Sequence, residues 1–450
     1  MKVLVLGGGG REHALAWRLR ADPAVREVHC APGNPGIEAV ATCHPGTDPR
    51  DPAAVTALAA SIHADLVVVG PEEPLVRGVA DALTAAGRRV FGPTQRAAEI
   101  ESSKTFAKAL LARCGIPTAQ YAAFDAWLEA ERFIRRHGAP LVVKADGLFA
   151  GKGVVIAETT EQALTAARDM LAEGMYGAAG RRIVIEEFMT GPELSMICLA
   201  DGCDVLTLAP SQDHKKAYDG DCGPNTGGMG AYSPVPLCPP ELAAQVERDV
   251  LRPVIEALAE DGREYRGTLY AGLMLTAAGL RVLEFNARLG DPEAQVILPR
   301  LRGPFAHVLL AAAEGDLGPV RRAISWDERA AACVVMASPG YPGSYPKGIE
   351  LGGLAEAEAE AEAGAEPGAR AQPQASGGDV VIFHAGTARD PQGRLVTSGG
   401  RVLGVTALAH GLPRAVDLAY RAVRKVRFPG AHFRRDIGVK AIMGGGLSGR

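Results

Sequence analysis

The sequence predicts an α/β protein of several domains, and three observations support this fold class. The chain has 450 residues, a length that corresponds to roughly two to four domains. Hydrophobic residues make up 47% of the sequence, which is enough to bury a proper core and argues against global disorder. Over about the first hundred residues, short β-rich runs alternate with helical stretches, a pattern typical of a parallel sheet covered on both faces.

The predicted N-terminal domain covers residues 1–101. Its strands, each closed by Gly or Pro, are residues 3–6, 27–31, 66–69 and 89–91. The helical stretches between them include residues 11–20 and 53–63. Ligands of such sheets bind at the carboxyl ends of the strands. Those ends carry three glycine-bearing segments, residues 7–10, 32–34 and 70–72.

A second predicted domain covers residues 102–325. It begins with a helix near Ser102 and Ser103, because a serine side chain can cap the free amides at a helix start. A compact α+β subdomain follows at about residues 118–190, with strands at residues 141–144, 153–157 and 182–188. The remainder contains a long polar loop and a β-hairpin, at residues 211–233, 268–276 and 280–286.

The last predicted domain, residues 326–450, is a small α+β unit with strands at residues 332–337 and 379–384. Between these strands, at about residues 355–376, Ala and Glu alternate and are followed by Gly, Pro and Gln. Low-complexity sequence of this kind could form a short solvated helix, but it favours a flexible surface insertion.

Composition excludes several classes of function. The formal net charge of −4 gives no support for a nucleic-acid or membrane-surface partner. The sequence has no apolar run of the roughly 20 residues that span a bilayer, and its start lacks a signal-peptide pattern. Its eight cysteines are scattered without a CxxC pair, which argues against a zinc site and a disulfide scaffold. A cytoplasmic protein is therefore expected.

The glycine run at residues 7–10 follows a strand and opens a helix, so its backbone amides could cradle a phosphate. A dinucleotide fingerprint needs a third glycine and an acid at the end of the second strand. Glu12 occupies the position of that glycine, and the second strand ends in Cys30, Ala31 and Pro32. NAD is therefore disfavoured, and a tight turn without a ligand is the alternative.

A second motif joins Lys144, at the end of a strand, to a glycine-bearing loop at residues 147–153. Flexible glycines allow such a loop to close over a triphosphate while lysines neutralise its charge. The spacing differs from a Walker A motif, which needs Gly-Lys-Ser/Thr at the start of a helix. Alone, this loop is weak evidence.

A third motif is the strand at residues 183–189, which carries Glu186 and Glu187 and runs into Glu193. A strand that ends in a hinge can offer a carbonyl and an amide to the edge of adenine. A carboxylate shortly after the hinge could hold the ribose hydroxyls. An exposed strand end without a ligand is the equally weighted alternative.

A fourth motif contains Glu284 and Asn286, which face the same way because residues two apart on a strand share a face. Carboxylate and amide oxygens suit a magnesium ion that carries substrate phosphates. Arg288 shares that face if the strand continues, and its guanidinium suits a carboxylate or phosphate. A strand end with polar tips is the alternative.

The polar loop at residues 211–233 combines charged residues with many glycines. Loops of this length inside a compact domain are usually functional or disordered. Charge next to glycine favours a substrate loop, and Asp213 is its leading candidate residue.

Together and in this order, the motifs resemble the glycinamide ribonucleotide synthetase family of the ATP-grasp superfamily over nearly the whole chain. The matching segments are residues 8–14, 31–34, 144–147, 150–154, 213–215, 223–232, 284–288, 383–387, 404–407 and 434–438. The resemblance implies an N-terminal parallel-sheet (pre-ATP-grasp) domain, an ATP-grasp core with an inserted lid subdomain, and a small C-terminal α+β domain.

The resemblance also implies roles for individual residues. ATP would be bound by Lys104, Lys144, Gly151, Lys152, Gly153, Glu186, Glu187, Met189 and Glu193. Magnesium or manganese would be bound by Glu284 and Asn286. The other substrates would meet Gly9, Gly10, Asn34, Asp213, Arg288 and Asp291. The catalytic candidates are Lys144, Arg288 and Asp213.

The implied activity is ATP-dependent ligation of glycine to 5-phosphoribosylamine through glycyl phosphate, an early step of purine biosynthesis. The implied partners are these small molecules, without nucleic acid or membrane, and the protein is expected to be a monomer. The chain departs from the family at Phe149, where a small residue is usual, and at Lys216, where arginine is usual. Many relatives in the superfamily carry a further metal-binding acid where this chain has Gly272, which leaves the number of metal ions open.

Two rival functions fit parts of the pattern. Another ATP-grasp ligase, activating bicarbonate or formate, would keep the ATP residues but differ in the N-terminal glycine run and the Asp213 loop. A non-catalytic sensor would bind ATP without turning it over. The presence of Glu284 and Asn286 argues against the sensor.

Overall fold

The computed structural model of the chain describes residues 1–149, 153–173, 181–360 and 379–444. The chain begins with a parallel sheet whose strands are β1 (Lys2–Gly7), β2 (Glu27–Pro32), β3 (Thr42–Cys43), β4 (Leu66–Val69) and β5 (Val90–Phe91). The helices among them are α1 (Gly10–Arg20), α2 (Pro52–Ser61), α3 (Glu72–Val76) and α4 (Val79–Ala85). The strand order is β3-β2-β1-β4-β5. The predicted parallel sheet is thus present, and its carboxyl edge carries the glycine turns.

Alternation along β1 explains why this sheet is covered on both faces. Val3 and Val5 pack with the residues of α1, whereas Leu4 and Leu6 pack with α2 and α4 on the other face. All four side chains are fully buried. Such strands read as continuous hydrophobic runs because neither face meets solvent.

The next segment contains two helices, α5 (Glu99–Ser102) and α6 (Lys104–Arg113), and then a separate small sheet. The lid elements are β6 (Tyr121–Phe124), α7 (Trp127–His137), β7 (Leu141–Ala145), β8 (Val154–Ala157), α8 (Thr160–Leu171) and β9 (Ile183–Glu187). Their strands are antiparallel in the order β6-β9-β7-β8. This sheet and its two helices enclose a hydrophobic cluster of their own.

The core that follows is built on an antiparallel sheet in the order β11-β10-β16-β17. Its elements up to β15 are β10 (Glu193–Asp201), β11 (Val205–Thr207), β12 (Gln212–Asp213), β13 (Lys216–Tyr218), β14 (Cys222–Asn225) and β15 (Gly230–Ser233). The later ones are α9 (Pro240–Val246), α10 (Arg252–Glu260), β16 (Arg266–Thr276), β17 (Gly279–Asn286), α11 (Ala294–Ile297), β18 (Leu301–Arg302), α12 (Phe305–Glu314) and β19 (Ser325–Trp326). The predicted hairpin corresponds to β16 and β17.

The C-terminal part contributes an antiparallel sheet and the helices that pack on it. Its elements are β20 (Ala330–Ala337), α13 (Leu354–Glu358), β21 (Val380–His384), β22 (Thr387–Arg389), β23 (Leu395–Thr397), β24 (Arg401–Ala409), α14 (Leu412–Val423) and α15 (Val439–Gly444). The sheet order is β12-β15-β20-β24-β21, so two strands of the preceding core join it. In the described part of the chain, every helix is too short or too polar to cross a membrane.

One expectation about an irregular segment is wrong, and another is tested only in part. The predicted loop at residues 211–233 contains four short strands, because β12 pairs with β15, β15 pairs with β20 far along the chain, and β13 pairs with β14. The start of the Ala-Glu repeat is helical in α13, because Ala357 is buried against the C-terminal layer. Residues 361–376 of the predicted insertion lie outside the described residues.

Candidate active site

The N-terminal glycine turn is built by close backbone contact. Gly9 caps α1, and its N–H donates to Oε2 of Glu12 at 2.7 Å. A Cβ on Gly8 would lie 2.5 Å from the carbonyl oxygen of Gly33, so only glycine allows the two turns to meet. The turns at the ends of β1 and β2 therefore adjoin each other, as the parallel arrangement of these strands predicts.

Asn34 connects this turn to the C-terminal layer. Its amide nitrogen donates to the carbonyl oxygens of Gly8 and His384, both at 2.9 Å. Its amide oxygen accepts from the N–H groups of Gly36 and Ile37 at 2.9 and 3.0 Å. Both amide hydrogens of Asn34, a predicted substrate-binding residue, are thus used within the protein.

Asp291 faces the same glycine turn. A Cβ on Gly9 or Gly10 would lie 3.6 Å from one of its carboxylate oxygens. Oδ2 of Asp291 is 3.3 Å from Nη2 of Arg401, a residue of β24. Burial raises the pKa of Asp291, but the charges of Arg401 and Arg11 lower it by more, so the pKa lies below its ordinary value. This side of the turn therefore presents a carboxylate whose negative charge is balanced by Arg401 and Arg11.

His13 joins α1 to β21 as a neutral histidine. Its Nδ1 accepts from the N–H of His384 at 2.8 Å, and its ring meets the ring of Phe383 edge-on. Burial, followed by the proximity of His384, lowers the pKa of His13 from 6.5 to about 3. Neither histidine was singled out from the sequence, because the contact spans 371 positions.

We expect His13 to make the protein sensitive to acid. The unfolded chain takes up a proton near pH 6.5 and the folded chain only near pH 3, so stability falls as the pH drops through this window. Between pH 7 and pH 5 the loss should be about 2 kcal/mol. His13→Gln can keep an acceptor for His384, so urea unfolding at both pH values should show a difference smaller by about that amount.

The matched control is His307→Gln, since His307 is exposed. It should leave the pH dependence of unfolding unchanged. Equal pH dependence in wild type and His13→Gln would contradict the assignment.

Lys104 lies at the first position of α6, and Ser103 caps this helix by accepting from the N–H of Phe106 at 3.1 Å. The predicted helix start is therefore correct. Asp146 also holds this end, accepting from the N–H of Lys104 at 2.5 Å. Nζ of Lys104 donates to the carbonyl oxygen of Gly147 at 2.8 Å, which places it at the root of the glycine loop.

The glycine loop itself is described only in part. Gly151 and Lys152 lie outside the described residues. Gly153 has no side chain, and a Cβ atom at this position would lie 2.7 Å from the ring of Phe149. The ring of Phe149 thus lies where a larger residue at position 153 would have to go.

Three buried charged side chains meet where the lid joins the core. Oε2 of Glu186 is 3.0 Å from Nζ of Lys144 and 3.1 Å from Nζ of Lys108. Oε1 of Glu186 is buried and has no hydrogen-bond partner among the described residues. Lys144 and Glu186 are predicted site residues, whereas Lys108 was missed because a lysine inside a helix carries no signal of its own.

Glu187, the last residue of β9, holds the hinge that follows this strand to the core. Glu187 donates its N–H to the carbonyl oxygen of Gln120 at 2.9 Å. Its carboxylate accepts from the N–H of Gln120 at 3.1 Å and from Nη1 of Arg281 at 2.8 Å. Met189 follows as a half-buried residue. Glu193, at the start of β10, lies 2.9 Å from Nζ of Lys215.

Glu284 and Asn286 project from β17 as the strand period predicts. Oε1 of Glu284 is 3.5 Å from Nζ of Lys215. Burial opposes ionisation of Glu284, but Lys215, Lys144, Lys104 and Arg288 lower its pKa to about 2. Glu284 is therefore an ionised carboxylate surrounded by cations, and it connects the two lysines predicted to bind ATP.

The partner of Glu284 across the hairpin is Gly272. A Cβ on Gly272 would lie 3.3 Å from Cγ of Glu284. Gly272 is the position at which the resemblance implies a further acid in many relatives. Among the described residues, no group of three or more His, Cys, Asp or Glu side chains forms a metal cage.

Arg288 lies in a cage of carboxylates. Its Nε donates to Oε2 of Glu72 at 3.0 Å, and its Nη2 lies 3.2 Å from Oε1 of Glu101. Nη2 also donates to Oδ1 of Asn286 at 3.1 Å. Burial alone would raise the pKa of Glu72, but Arg288 and Arg11 lower it to about 2. The sequence assigns Arg288 to a substrate, but in the structure its guanidinium contacts two carboxylates of the protein.

Asp213 lies on β12 beside a second buried acid. Its Oδ1 accepts from the N–H of His214 at 2.6 Å. Burial raises the pKa of Asp213 well above its ordinary value, and the nearby Glu293 raises it further. Oε1 of Glu293 accepts from the hydroxyls of Tyr270 and Ser195 at 2.7 and 3.1 Å. Glu293 was not singled out from the sequence, although it stands two residues after Asp291.

The C-terminal part holds the segment that carries Asp213. Arg401 donates to the carbonyl oxygen of Gly227 at 2.5 Å, and His432 is 2.8 Å from the carbonyl oxygen of Ala217. Arg434 is fully buried, donates to the carbonyl oxygen of Lys216 at 3.1 Å and pairs with Asp436. These contacts assign the C-terminal part a role in shaping the site.

Three family models match the chain in order. They are the phosphoribosylglycinamide synthetase N domain at residues 1–101, ATP-grasp (A) domain at residues 102–294 and C domain at residues 331–440. Together they cover most of the sequence. The N-terminal sheet lies within the first match, the lid and the β11-β10-β16-β17 sheet lie within the second, and β21 to β24 with α13 and α14 lie within the third.

Similar proteins agree with the models. Phosphoribosylamine–glycine ligases of Brucella melitensis and a Nostoc species are each 47% identical, covering 98% of this chain and 98% and 99% of theirs. The crystal structure of phosphoribosylamine–glycine ligase from Thermotoga maritima has a TM-score of 0.80 at 32% identity, covering 97% of this chain and 100% of that one. A biotin carboxylase domain from Hydrogenobacter thermophilus, 17% identical with a TM-score of 0.70, covers 96% of this chain and 91% of its own and shares the fold. The chain therefore belongs to the phosphoribosylglycinamide synthetase family, whose motifs its sequence resembles.

Proposed function

We propose that this protein is an ATP-dependent C–N ligase that joins glycine to 5-phosphoribosylamine, giving glycinamide ribonucleotide, ADP and phosphate in purine biosynthesis. One observation carries this proposal: Oε1 of Glu284 lies 3.5 Å from Nζ of Lys215, and the charges of Lys144 and Lys104 act on the same carboxylate and lower its pKa. Such a cluster suits phosphoryl transfer, which depends on positioning and charge neutralisation. The 47%-identical relatives named for this ligation support the choice of substrates.

ATP is assigned to the cleft between lid and core. Lys104 and Lys144 neutralise its phosphates beneath the loop that includes Gly151, Lys152 and Gly153. The hinge at Glu187 and Met189 meets the edge of adenine, and Glu193 meets the ribose hydroxyls. Glu186 is the acceptor for the adenine amino group, because its Oε1 is buried without a partner among the described residues and buried acceptors are normally satisfied.

The donor atoms on β17 fit a magnesium ion that is carried by the nucleotide, and manganese has the same oxygen preference. Glu284 supplies an ionised carboxylate. Oδ1 of Asn286 accepts one hydrogen bond, from Arg288, and an amide oxygen has a second lone pair. Two protein oxygens plus phosphate oxygens are the usual magnesium set at such sites. When bound, this ion would neutralise charge on the β- and γ-phosphates.

The proposed chemistry has two steps. A carboxylate oxygen of glycine attacks the γ-phosphorus of ATP, ADP leaves, and glycyl phosphate forms. The amine of phosphoribosylamine then attacks the carbonyl carbon, the carbon–oxygen bond to phosphate breaks, and the amine loses a proton. Asp213 orients an amine here, and lid closure protects the acyl phosphate from water. Arg288 acts from its carboxylate cage by positioning Asn286.

Phosphoribosylamine is assigned to the N-terminal turn. Backbone amides at Gly9 and Gly10 and the start of α1 suit its phosphate. Asp291 is a carboxylate and therefore suits a hydroxyl or an amine rather than the phosphate. Asn34 positions the turn through its four hydrogen bonds. The protein is assigned as a cytoplasmic monomer that acts on small molecules, and sedimentation at working concentration tests the oligomeric state.

The activity and its intermediate can be tested together. ADP release should require both glycine and phosphoribosylamine, and glycine labelled with ¹⁸O in its carboxyl group should transfer one labelled oxygen to the released phosphate. The label moves because the oxygen that attacks phosphorus leaves with it. Mass spectrometry of the phosphate measures the transfer.

Replacing glycine with bicarbonate or formate provides the control. Turnover with either compound would favour another ATP-grasp ligase, and ATP binding without glycine-dependent ADP release would favour a sensor. Unlabelled phosphate from a glycine-dependent reaction would exclude glycyl phosphate while leaving the ligation itself in place.

A further inference from the structure

The carboxylate of Glu186 is held asymmetrically. Both Lys108 and Lys144 contact Oε2, at 3.1 and 3.0 Å, whereas Oε1 has no partner among the described residues. Lys108, Lys144 and Glu186 are 3%, 7% and 2% exposed. Two cations on one oxygen fix the orientation of the carboxylate, so the other oxygen is a preorganised acceptor.

We propose that Lys108 is a positioning residue that sets the base specificity of the nucleotide site. It holds Glu186 so that Oε1 receives the 6-amino group of adenine. This inference rests on the proposed function only in assigning ATP to the cleft between lid and core. It adds a residue that contacts neither the phosphates nor the metal ligands.

Lys108 is anchored independently of the nucleotide. Its Nζ donates to Oγ1 of Thr118 at 2.7 Å, and this hydroxyl donates to the carbonyl oxygen of Val282 at 2.6 Å. The same Nζ lies 5.7 Å from the centre of the Tyr121 ring, within the range of a cation–π contact. Lys108 therefore bridges α6, the lid and the hairpin of the core.

Lys144 has a different set of neighbours. It repels Lys104 and attracts Glu284, which places it electrostatically within the phosphate cluster. A triphosphate would compete with Glu186 for Lys144. Lys108 would then remain as the partner of Glu186, and a buried carboxylate left without a partner would be strongly unfavourable.

The chemistry of the Glu186 carboxylate explains why the site would prefer adenine to guanine. An ionised carboxylate can only accept hydrogen bonds. Adenine presents an amino group at position 6, whereas guanine presents a carbonyl oxygen, so guanine would set two acceptors against each other. Burial lowers the pKa of Lys108 to about 8 against the attraction of Glu186. Lys108 is therefore mostly charged at neutral pH and can keep its pairing.

The test compares nucleotide binding by the full-length wild-type protein and Lys108→Met. The probes are ATP, GTP and the triphosphate of purine riboside, which lacks the 6-amino group, each measured by calorimetry with magnesium and without other substrates. In wild type, loss of the amino group should weaken binding about 10-fold. In Lys108→Met, ATP should bind at least 10-fold more weakly, the effect of the amino group should fall below about threefold, and the preference for ATP over GTP should shrink at least 10-fold.

Lys108→Arg should restore most of the preference, because it keeps the charge. Lys425→Met, at a half-exposed lysine, should leave all three affinities unchanged. If Lys108→Met does not fold, Glu186→Gln tests the same acceptor and should also reduce the preference for ATP. Wild-type base preference in a folded Lys108→Met would overturn the proposal.

Binding is measured without ligation, so a wrong choice of ligation substrate cannot affect the result. A wild-type protein that binds ATP selectively but releases no ADP with glycine and phosphoribosylamine would contradict the proposed function alone. In Lys108→Met, a fall in kcat with unchanged base preference would assign the lysine to another role and overturn the inference.

Discussion

Replacing Glu284 with glutamine should lower kcat about 100- to 1,000-fold while the protein stays folded. Removal of one preorganised charged group that acts in the transition state typically costs about 3–4 kcal/mol. The pKa of Glu284 is lowered by Lys215, Lys144 and Lys104, so its replacement would remove both a proposed metal ligand and a negative charge that these lysines share. Lys144→Met should have an effect of similar size, because it removes the lysine that contacts Glu186 and is proposed to neutralise the phosphates of ATP.

Steady-state kinetics at saturating ATP, glycine and phosphoribosylamine measure these losses, and circular dichroism checks the fold. Glu314→Gln is the matched control, since Glu314 is an exposed acid that pairs with Arg89 far from the cluster. It should retain wild-type turnover. A Glu284→Gln or Lys144→Met variant with a third of wild-type kcat would remove that residue from the proposed mechanism.

Gly9→Val should raise the KM for phosphoribosylamine at least 10-fold and leave the KM values for ATP and glycine within about twofold. A Cβ on Gly9 would lie 2.9 Å from Oε2 of Glu12 and 3.6 Å from Oδ2 of Asp291. A branched side chain would therefore occupy the space in front of the turn and prevent close approach of a phosphate. The expected loss is at least about 1.4 kcal/mol of substrate binding.

Gly46→Val is the control within the same domain, because a Cβ on Gly46 would have no neighbour within 4 Å. It should leave all three KM values unchanged. A rise in the KM for ATP in Gly9→Val would reassign the turn to the nucleotide. Asn34→Ala is less informative, since it removes four hydrogen bonds and would disturb the turn itself.

The sequence predicted those features that depend only on residue type and on the regular geometry of strands and helices. The strand period placed Glu284 and Asn286 on one face, and the serine cap placed Lys104 at a helix start. The parallel strands predicted that the two glycine turns would meet. Each of these inferences needs only neighbouring residues and a known strand or helix geometry.

Sequence reasoning failed where a contact depends on distant parts of the chain. Arg288 was assigned to a carboxylate or phosphate of a substrate, but in the structure it contacts Glu72 and Glu101, which precede it by 216 and 187 positions. Arg401 was missed because nothing near it in sequence points to Asp291. The predicted loop at residues 211–233 is wrong because its short, glycine-rich strands become recognisable only through their pairing with one another and, for β15, with β20.

The shared sheet of β12, β15, β20, β24 and β21 determines how this enzyme could be divided into exchangeable modules. A boundary at residue 325 or 326 separates the sequence into proposed domains, yet it cuts a sheet whose first two strands precede it. The lid has a hydrophobic cluster of its own, so chimeras that trade the lid between relatives keep each core intact. Chimeras that trade the C-terminal part must carry residues 212–233 with it, because Arg401, His432 and Arg434 are matched to that segment. The C-terminal part and residues 212–233 therefore have to be exchanged together.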